Sequence, residues 1–242
     1  MILREIKQKI RDASSIVFFG GAGTSTESRI PDFRTKNGLY QQKYFQGRTP
    51  EELLSNTILT RDPETFFRYY REHLVHPHAR PNRAHTVLAK WEQESKIKAV
   101  ITQNIDGLHQ MAGSQNVIEL HGSVHRNYCI KCGRSATLEE ILIQKQTIPR
   151  CHCCQGMIRP DVVLYGEGLD QEVMNRSMAV LKQADMLIIG GTSLVVYPAA
   201  GLIEYFQGED MLMINHDPTP CDHRAKWIIR ESIGETLGKL AE

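Results

Sequence analysis

No apolar run in these 242 residues approaches the ~20 needed to cross a bilayer. The opening stretch MILREIKQKIRDA lacks the apolar core of a secretory signal; its Ile and Leu alternate with charge at helical spacing. A surface helix of a cytoplasmic protein is expected there. Net charge is also missing: 29 basic residues against 28 acidic ones leave +1, with no global attraction to nucleic acid or to an anionic membrane. Six cysteines in a cytoplasmic chain argue for metal or thiol roles rather than disulfides. What remains, 41% apolar and 24% charged residues, is the composition of a soluble globular protein. The length allows one large domain or two unequal ones and a core that needs no disulfides.

The stretch Ser15 to Arg34 organises the rest. An apolar run, Ile16 to Phe19, reads as a buried strand and breaks into Gly20, Gly21 and Gly23. Such a turn lets a phosphate lie against bare backbone N–H groups. Thr24, Ser25 and Thr26 stand ready to cap a following helix or to touch a ligand. Yet the third glycine of the usual dinucleotide fingerprint is absent, with Thr26 in its place, and so is an acidic residue about 20 positions on. On the glycines by themselves, an ordinary turn and a nucleotide loop of unusual kind both stand.

Further on, Pro50 to Leu74 has a helical pattern and Asn82 to Glu94 reads as a helix with Ala84, Val87, Leu88 and Trp91 on one face. Short apolar strands follow at Ala99 to Thr102, Val117 to Leu120, Val162 to Tyr165, Asp185 to Ile189, Met211 to Ile214 and near Ile228. Helices are expected at Gln171 to Gln183, Pro198 to Phe206 and in the tail. This alternation predicts an α/β fold: a Rossmann-like parallel sheet with helices on both faces. Polar clusters sit where strands end: Gly20 to Thr26, Gln103 to Asp106, His121, Gly191 to Ser193 and Asn215. In parallel sheets that is where ligands bind.

Between His125 and Pro160 lies a different module. Cys129-x-x-Cys132 and Cys151-x-x-Cys154 are separated by eighteen residues, the spacing of a four-thiolate zinc ribbon. Four thiolates close the coordination sphere, so one structural zinc ion is expected. Cys153 competes for a ligand position, but only Cys151 with Cys154 keeps the two-residue gap.

Taken together, GAGTSTESRIPDFR, TQNIDGLH, ELHGS, the paired CxxC motifs, GTSLVVYPAAGL and the late MIN resemble the sirtuins, NAD-dependent protein deacylases, in order and over nearly the whole chain. The resemblance implies a Rossmann-like NAD-binding domain of residues 1–34, 80–123 and 161–242. A helical insertion, 35–79, and the zinc ribbon, 124–160, would form a smaller domain. It implies removal of acetyl from protein lysine with NAD, giving free lysine, nicotinamide and O-acetyl-ADP-ribose. Acetylated-lysine proteins or peptides would be the partners, with no specific nucleic acid and no membrane.

Residue by residue, Ala22, Gly23 and Thr26 would cradle the diphosphate. Phe33 would shield the reacting ribose carbon, and Arg34 would contact phosphate or ribose. Gln103, Asn104, Ile105 and Asp106 would line the nicotinamide and ribose pocket; Thr192, Ser193, Asn215 and the backbone near Ile233 would hold the adenosine half. His121 would be the general base, with Asn104 beside it in catalysis. Extended substrate would lie between Val163 to Gly166 and Leu194 to Val196, touching Val163, Gly166 and Val196.

Arg29 stands where the family usually carries glycine. The positions matching the tyrosine and arginine of the branch that removes acidic acyl groups are Phe67 and Tyr70, with Arg68 and Arg71 nearby, so neutral acyl groups, chiefly acetyl, are expected. Two rivals carry different consequences. A mono-ADP-ribosyltransferase would cleave the same C–N bond without needing acyl-lysine. A nucleic-acid-binding ribbon would show exposed aromatics among its basic residues, but only Tyr128 is there, and Glu139 and Glu140 offset the charge.

Overall fold

The computed structural model describes residues 2–33, 38–41, 47–143 and 148–242. Arg34 lies outside them. Helix α1 (Ile2–Asp12) buries Ile6 and Ile10, whereas Ile2 and Leu3, expected on the same stripe, stay exposed at its first turn. Strand β1 (Ile16–Gly20) follows, every residue buried. The helical insertion is three pieces, α2 (Pro50–Leu53), α3 (Asn56–Arg61) and α4 (Pro63–His73). Thr49, Ser55 and Asp62 each accept from the backbone N–H three residues on, so caps stop and restart the chain twice. Helix α5 (Arg83–Gln93) buries the predicted face, Ala84, Val87, Leu88 and Trp91, and leads to β2 (Ile97–Thr102), α6 (Leu108–Met111) and β3 (Val117–Glu119). The ribbon holds β4 (Gly122–Cys129), β5 (Ser135–Ala136), α7 (Leu138–Ile143) and β6 (Ile158–Val162). Then come α8 (Gln171–Gln183), β7 (Met186–Gly190), β8 (Asp210–Ile214), β9 (Trp227–Ile229) and α9 (Ile233–Ala241).

Six strands form one parallel sheet in the order β3-β2-β1-β7-β8-β9. Its strands are apolar on both faces because helices cover both. Ile16, Phe18, Ile188 and Leu212 face α1, α5 and α9, while Val17, Phe19, Ile189 and Met213 face α8 and the segment after β7. The chain runs outward from β1 through β2 to β3, then returns to add β7, β8 and β9 on the other side. The crevice between β1 and β7 is therefore the switch point where ligands bind.

Three local expectations change. Residues after β1 wind as a 3₁₀ helix, Ala22–Ser28, and Thr24, Ser25 and Thr26 lie inside it rather than capping it. Ala199–Tyr205 is also 3₁₀, its amides reaching back three residues, as from Gly201 to the Pro198 carbonyl. Val162 ends β6, which pairs antiparallel with β4 in the ribbon's own sheet, so residues 163–165 are no strand of the large sheet. Apolar composition cannot distinguish those two destinations. A third core joins the helical insertion to the ribbon, with Phe66, Phe67 and Tyr70 against Val124, Ile141 and Ile158.

Behind β1, the rings of His85 and His109 meet 4.6 Å apart, and His109 also packs on Phe18. His85 Nδ1 accepts from the Asn82 N–H, while among the described residues neither His109 nitrogen has a partner. Burial holds both rings neutral: it takes the His85 pKa down to about 4 against the pull of Asp106 and Glu27, and it takes His109 well below the usual histidine value, with His85 adding to the effect. The unfolded chain binds these protons below about pH 6.5, the folded one does not, so stability is complete above that pH and falls as pH drops toward 4. His85 accounts for on the order of 3 kcal/mol of that loss. Urea midpoints should fall between pH 7 and pH 5, and His109→Leu should flatten the slope; equal slopes in both proteins would refute this.

Candidate active site

A cleft of about 530 Å³ opens at the switch point. Two glycine turns meet at its base. The Gly21 N–H donates to the Gly190 carbonyl (3.2 Å) and the Gly23 N–H to that of Gly191 (2.8 Å). A Cβ on Gly23 would lie 2.7 Å from the Gly191 Cα, and Gly191 itself takes φ +60°. Backbone touches backbone here, which only glycine permits.

The 3₁₀ segment is tied down on every side. Ser25 Oγ donates to Asp106 Oδ2 (2.6 Å) and accepts from Asn104 Nδ2 (3.1 Å). Asn82 Nδ2 donates to the Thr24 carbonyl (2.8 Å), and the Glu27 carboxylate accepts from Ser232 and from the Gly234 N–H, capping α9. Asn82 and Glu27 were not singled out in the sequence, since their partners lie 58 and 207 residues away. Asp106 Oδ1 accepts from the Leu108 N–H (2.9 Å), and His125 Nε2 donates to the Asp106 carbonyl (3.0 Å), fixing the loop after β2. Gln103 Nε2 donates to Thr192 Oγ1 (2.9 Å), bridging the two halves of the crevice.

Arg29 ends the 3₁₀ segment at φ 66°, ψ 23°, the left-handed conformation that glycine adopts without strain. Arg29→Gly should therefore stabilise the fold by about 1 kcal/mol, seen as a rise of about 2–4 °C in melting temperature. An unchanged or lower melting temperature would show the strain is not borne there.

His121 stands where β3 gives way to β4. Its Nδ1 lies 2.9 Å from the Gln103 carbonyl, which can only accept, so Nδ1 carries the proton and Nε2 keeps a free lone pair. Burial pulls its pKa below the usual histidine value, and the Gln103 bond partly opposes that. The imidazole lines the same cleft as Ala22 and Ser193. Gly23, Thr26, Phe33, Gln103, Asn104, Ile105 and Asp106 line it too, as do Thr192, Asn215, Ile233, Val163, Gly166 and Val196. Tyr165, inside the expected substrate span, faces it as well, and so do Tyr40, His73 and His76, which the sequence did not signal.

In the ribbon, one sulfur from each of Cys129, Cys132, Cys151 and Cys154 lies within 4.8 Å of the others. Cys132 and Cys151 are 3.8 Å apart, the edge of a tetrahedron with Zn–S bonds of about 2.3 Å. Arg134 Nε sits 3.4 Å from the Cys151 sulfur and holds that thiol far below its usual pKa, at about 5. The donor set fits structural zinc, and exposed Cys153 is outside it.

A doubly wound sheet with a glycine crevice, a partly buried neutral histidine lining it and a thiolate ribbon beside it defines a nucleotide-using α/β enzyme with a structural metal. The Sir2 family model matches residues 21–198. The NAD-dependent protein deacetylase of Clostridium acetobutylicum is 54% identical over 97% of this chain and 96% of its own. That of Clostridium perfringens is 51% identical over 99% and 98%. Among solved structures, a Sir2 bound to acetylated peptide superposes with a TM-score of 0.87 at 36% identity, covering 99% of this chain and 97% of that one. A Sir2–p53 peptide–NAD+ complex gives 0.85 at 36%, with the same coverage. The chain belongs to the Sir2 family.

Proposed function

We propose that this chain is an NAD-dependent protein-lysine deacetylase, acting in the cytoplasm on acetylated-lysine proteins or peptides. Among the described residues no helix is long and apolar enough to cross a membrane. The observation that carries the reading is His121, its Nε2 lone pair free, in one cleft with both glycine turns. Bound NAD supplies a C–N bond whose cleavage releases nicotinamide and leaves the ribose to accept the acyl oxygen. Ala22, Gly23 and Thr26 would take the diphosphate, with Gly23 leaving bare backbone to it, and Thr192, Ser193, Asn215 and Ile233 the adenosine half. Asp106, held by Ser25 and Leu108, would receive the carboxamide, with Gln103, Asn104 and Ile105 around the ribose. Phe33, edge-on to Tyr40 at 5.6 Å, would exclude water from the reacting centre. His121 would then take the ribose hydroxyl proton on Nε2.

We infer neutral acyl specificity as well. Phe67 and Tyr70 are buried in the third core, Arg71 donates to the Ile141 carbonyl, and from this segment His73, Leu74 and His76 line the cleft instead. The test is mass spectrometry of products from NAD with acetyl-lysine and succinyl-lysine peptides. Free lysine peptide and O-acetyl-ADP-ribose should appear with the first, and much less turnover with the second. Nicotinamide release without acyl-lysine would favour the ADP-ribosyltransferase.

A further inference from the structure

Strand β4 leaves its ladder partway along. Against β6, Gly122 stands opposite Val162 and Ser123 opposite Asp161, but the next pair is Asn127 with Pro160. Val124, His125 and Arg126 therefore form a bulge, and Pro160 has no N–H to continue the ladder. The bulge is closed from within. Asn127 Nδ2 donates to the Val124 carbonyl (3.1 Å), and the His125 N–H donates to Ser123 Oγ (3.3 Å). Arg126 spans it outside, donating from Nη1 to Glu119 and from Nε to Asp161 Oδ2 (2.9 Å).

The freed residues reach the loop after β2. The Val124 N–H donates to the Ile105 carbonyl (3.0 Å) and His125 Nε2 to the Asp106 carbonyl (3.0 Å). His121, just before the strand, donates from Nδ1 to the Gln103 carbonyl (2.9 Å). Three of the four carbonyls from Gln103 to Asp106 are thus held by one short stretch, 121–125. A carbonyl only accepts, so His125 carries a proton on Nε2. Its ring also covers Gly107: a Cβ there would come 2.7 Å from His125 Cδ2, and Gly107 takes φ +71°. The Asp106 carboxylate meanwhile accepts from Ser25 Oγ and the Leu108 N–H. His125 fixes from the backbone side the residue that Ser25 fixes from the side-chain side.

We propose that the β4 bulge positions the nicotinamide end of the cleft, with His125 as its positioning residue: the imidazole holds the Asp106 peptide group from the ribbon side and so keeps the carboxylate aimed at the nicotinamide carboxamide. His125 lies outside the cleft lining, so it acts through Asp106 and not on the cofactor itself. The inference rests on the deacetylase reading, which gives Asp106 the carboxamide.

Steady-state kinetics and calorimetry on the zinc-bound full chain test it. His125→Phe keeps a ring over Gly107 and removes the donor; His125→Gln removes the ring and keeps an N–H at similar reach. In the Phe variant, the KM for NAD and the inhibition constant of nicotinamide should both rise about fivefold, as for one lost hydrogen bond, with the peptide KM unchanged. Isothermal titration with NAD should weaken by the same factor. In the Gln variant all of these should stay within about twofold of wild type. If the Phe variant does not fold, His125→Ala against His125→Gln carries the comparison. Wild-type constants for NAD and nicotinamide in the donor-free variant overturn the proposal. So does a Gln variant as impaired as the donor-free one, or a loss confined to melting temperature. A wild-type protein that deacetylates nothing overturns the underlying function instead.

Discussion

His121→Ala should lower turnover on an acetyl-lysine peptide by about 10²–10⁴-fold and leave NAD affinity nearly unchanged. The magnitude is that of a general base removed from a site whose other parts survive. No other described side chain takes its hydrogen bond to Gln103, and the loop after β2 is fixed independently by Ser25, Leu108 and His125. The pH profile should carry the same signature. A base works only while its lone pair is free, and burial pushes this imidazole's pKa down, so kcat should hold through neutral pH and fall with acid only below about 6.5. Isothermal titration with NAD and a kcat profile from pH 5 to 9 check both halves. Retained turnover in the alanine variant, or an acid limb centred above neutrality, would remove His121 from the role of base.

The sheet was legible because its strands are short, apolar and followed at once by glycine or polar turns; nothing longer-ranged than residue type is needed to read Ile16 to Phe19 or Asp185 to Ile189. The ribbon was legible because metal geometry imposes a spacing on the chain. The segment 163–165 was misread for the opposite reason. Its neighbours are apolar like those of a central strand, but the hydrogen bonds it makes go to Leu54, Asn56 and His121, contacts set by where two insertions pack. Asn82 and Glu27 escaped notice similarly: a helix cap and a surface acid look ordinary until the fold brings the 3₁₀ segment against them. Arg29 was the reverse case, a single residue at odds with the family's glycine, whose left-handed backbone gives that departure a physical content.

Stripping zinc, or replacing Cys151 by Ser, should unfold the ribbon and abolish deacetylation while the large sheet persists. Metal coordination contributes about 10 kcal/mol to folding such a module. The ribbon has little else: β5 is two residues long, and much of its apolar surface is shared with the helical insertion. Cys151 and Cys129 are themselves buried in that shared core, so loss of the metal would leave four crowded sulfurs with nothing to hold them together, the Cys151 thiol readily ionised beside Arg134, at an apolar contact. The damage would travel along the chain. Strand β4 begins at Gly122, next to His121, and β6 ends at Val162, next to the peptide edge, so unpairing β4 from β6 releases the base and the substrate strand together. The expected record is one equivalent of zinc by elemental analysis and new protease cuts between residues 124 and 160 after chelation. Peptide turnover should be lost in step with the metal, and the far-ultraviolet circular dichroism should remain largely that of the parallel sheet and its helices. Full activity in a zinc-free protein would show that β4 and β6 hold their register without the metal, and would separate the ribbon from the chemistry altogether.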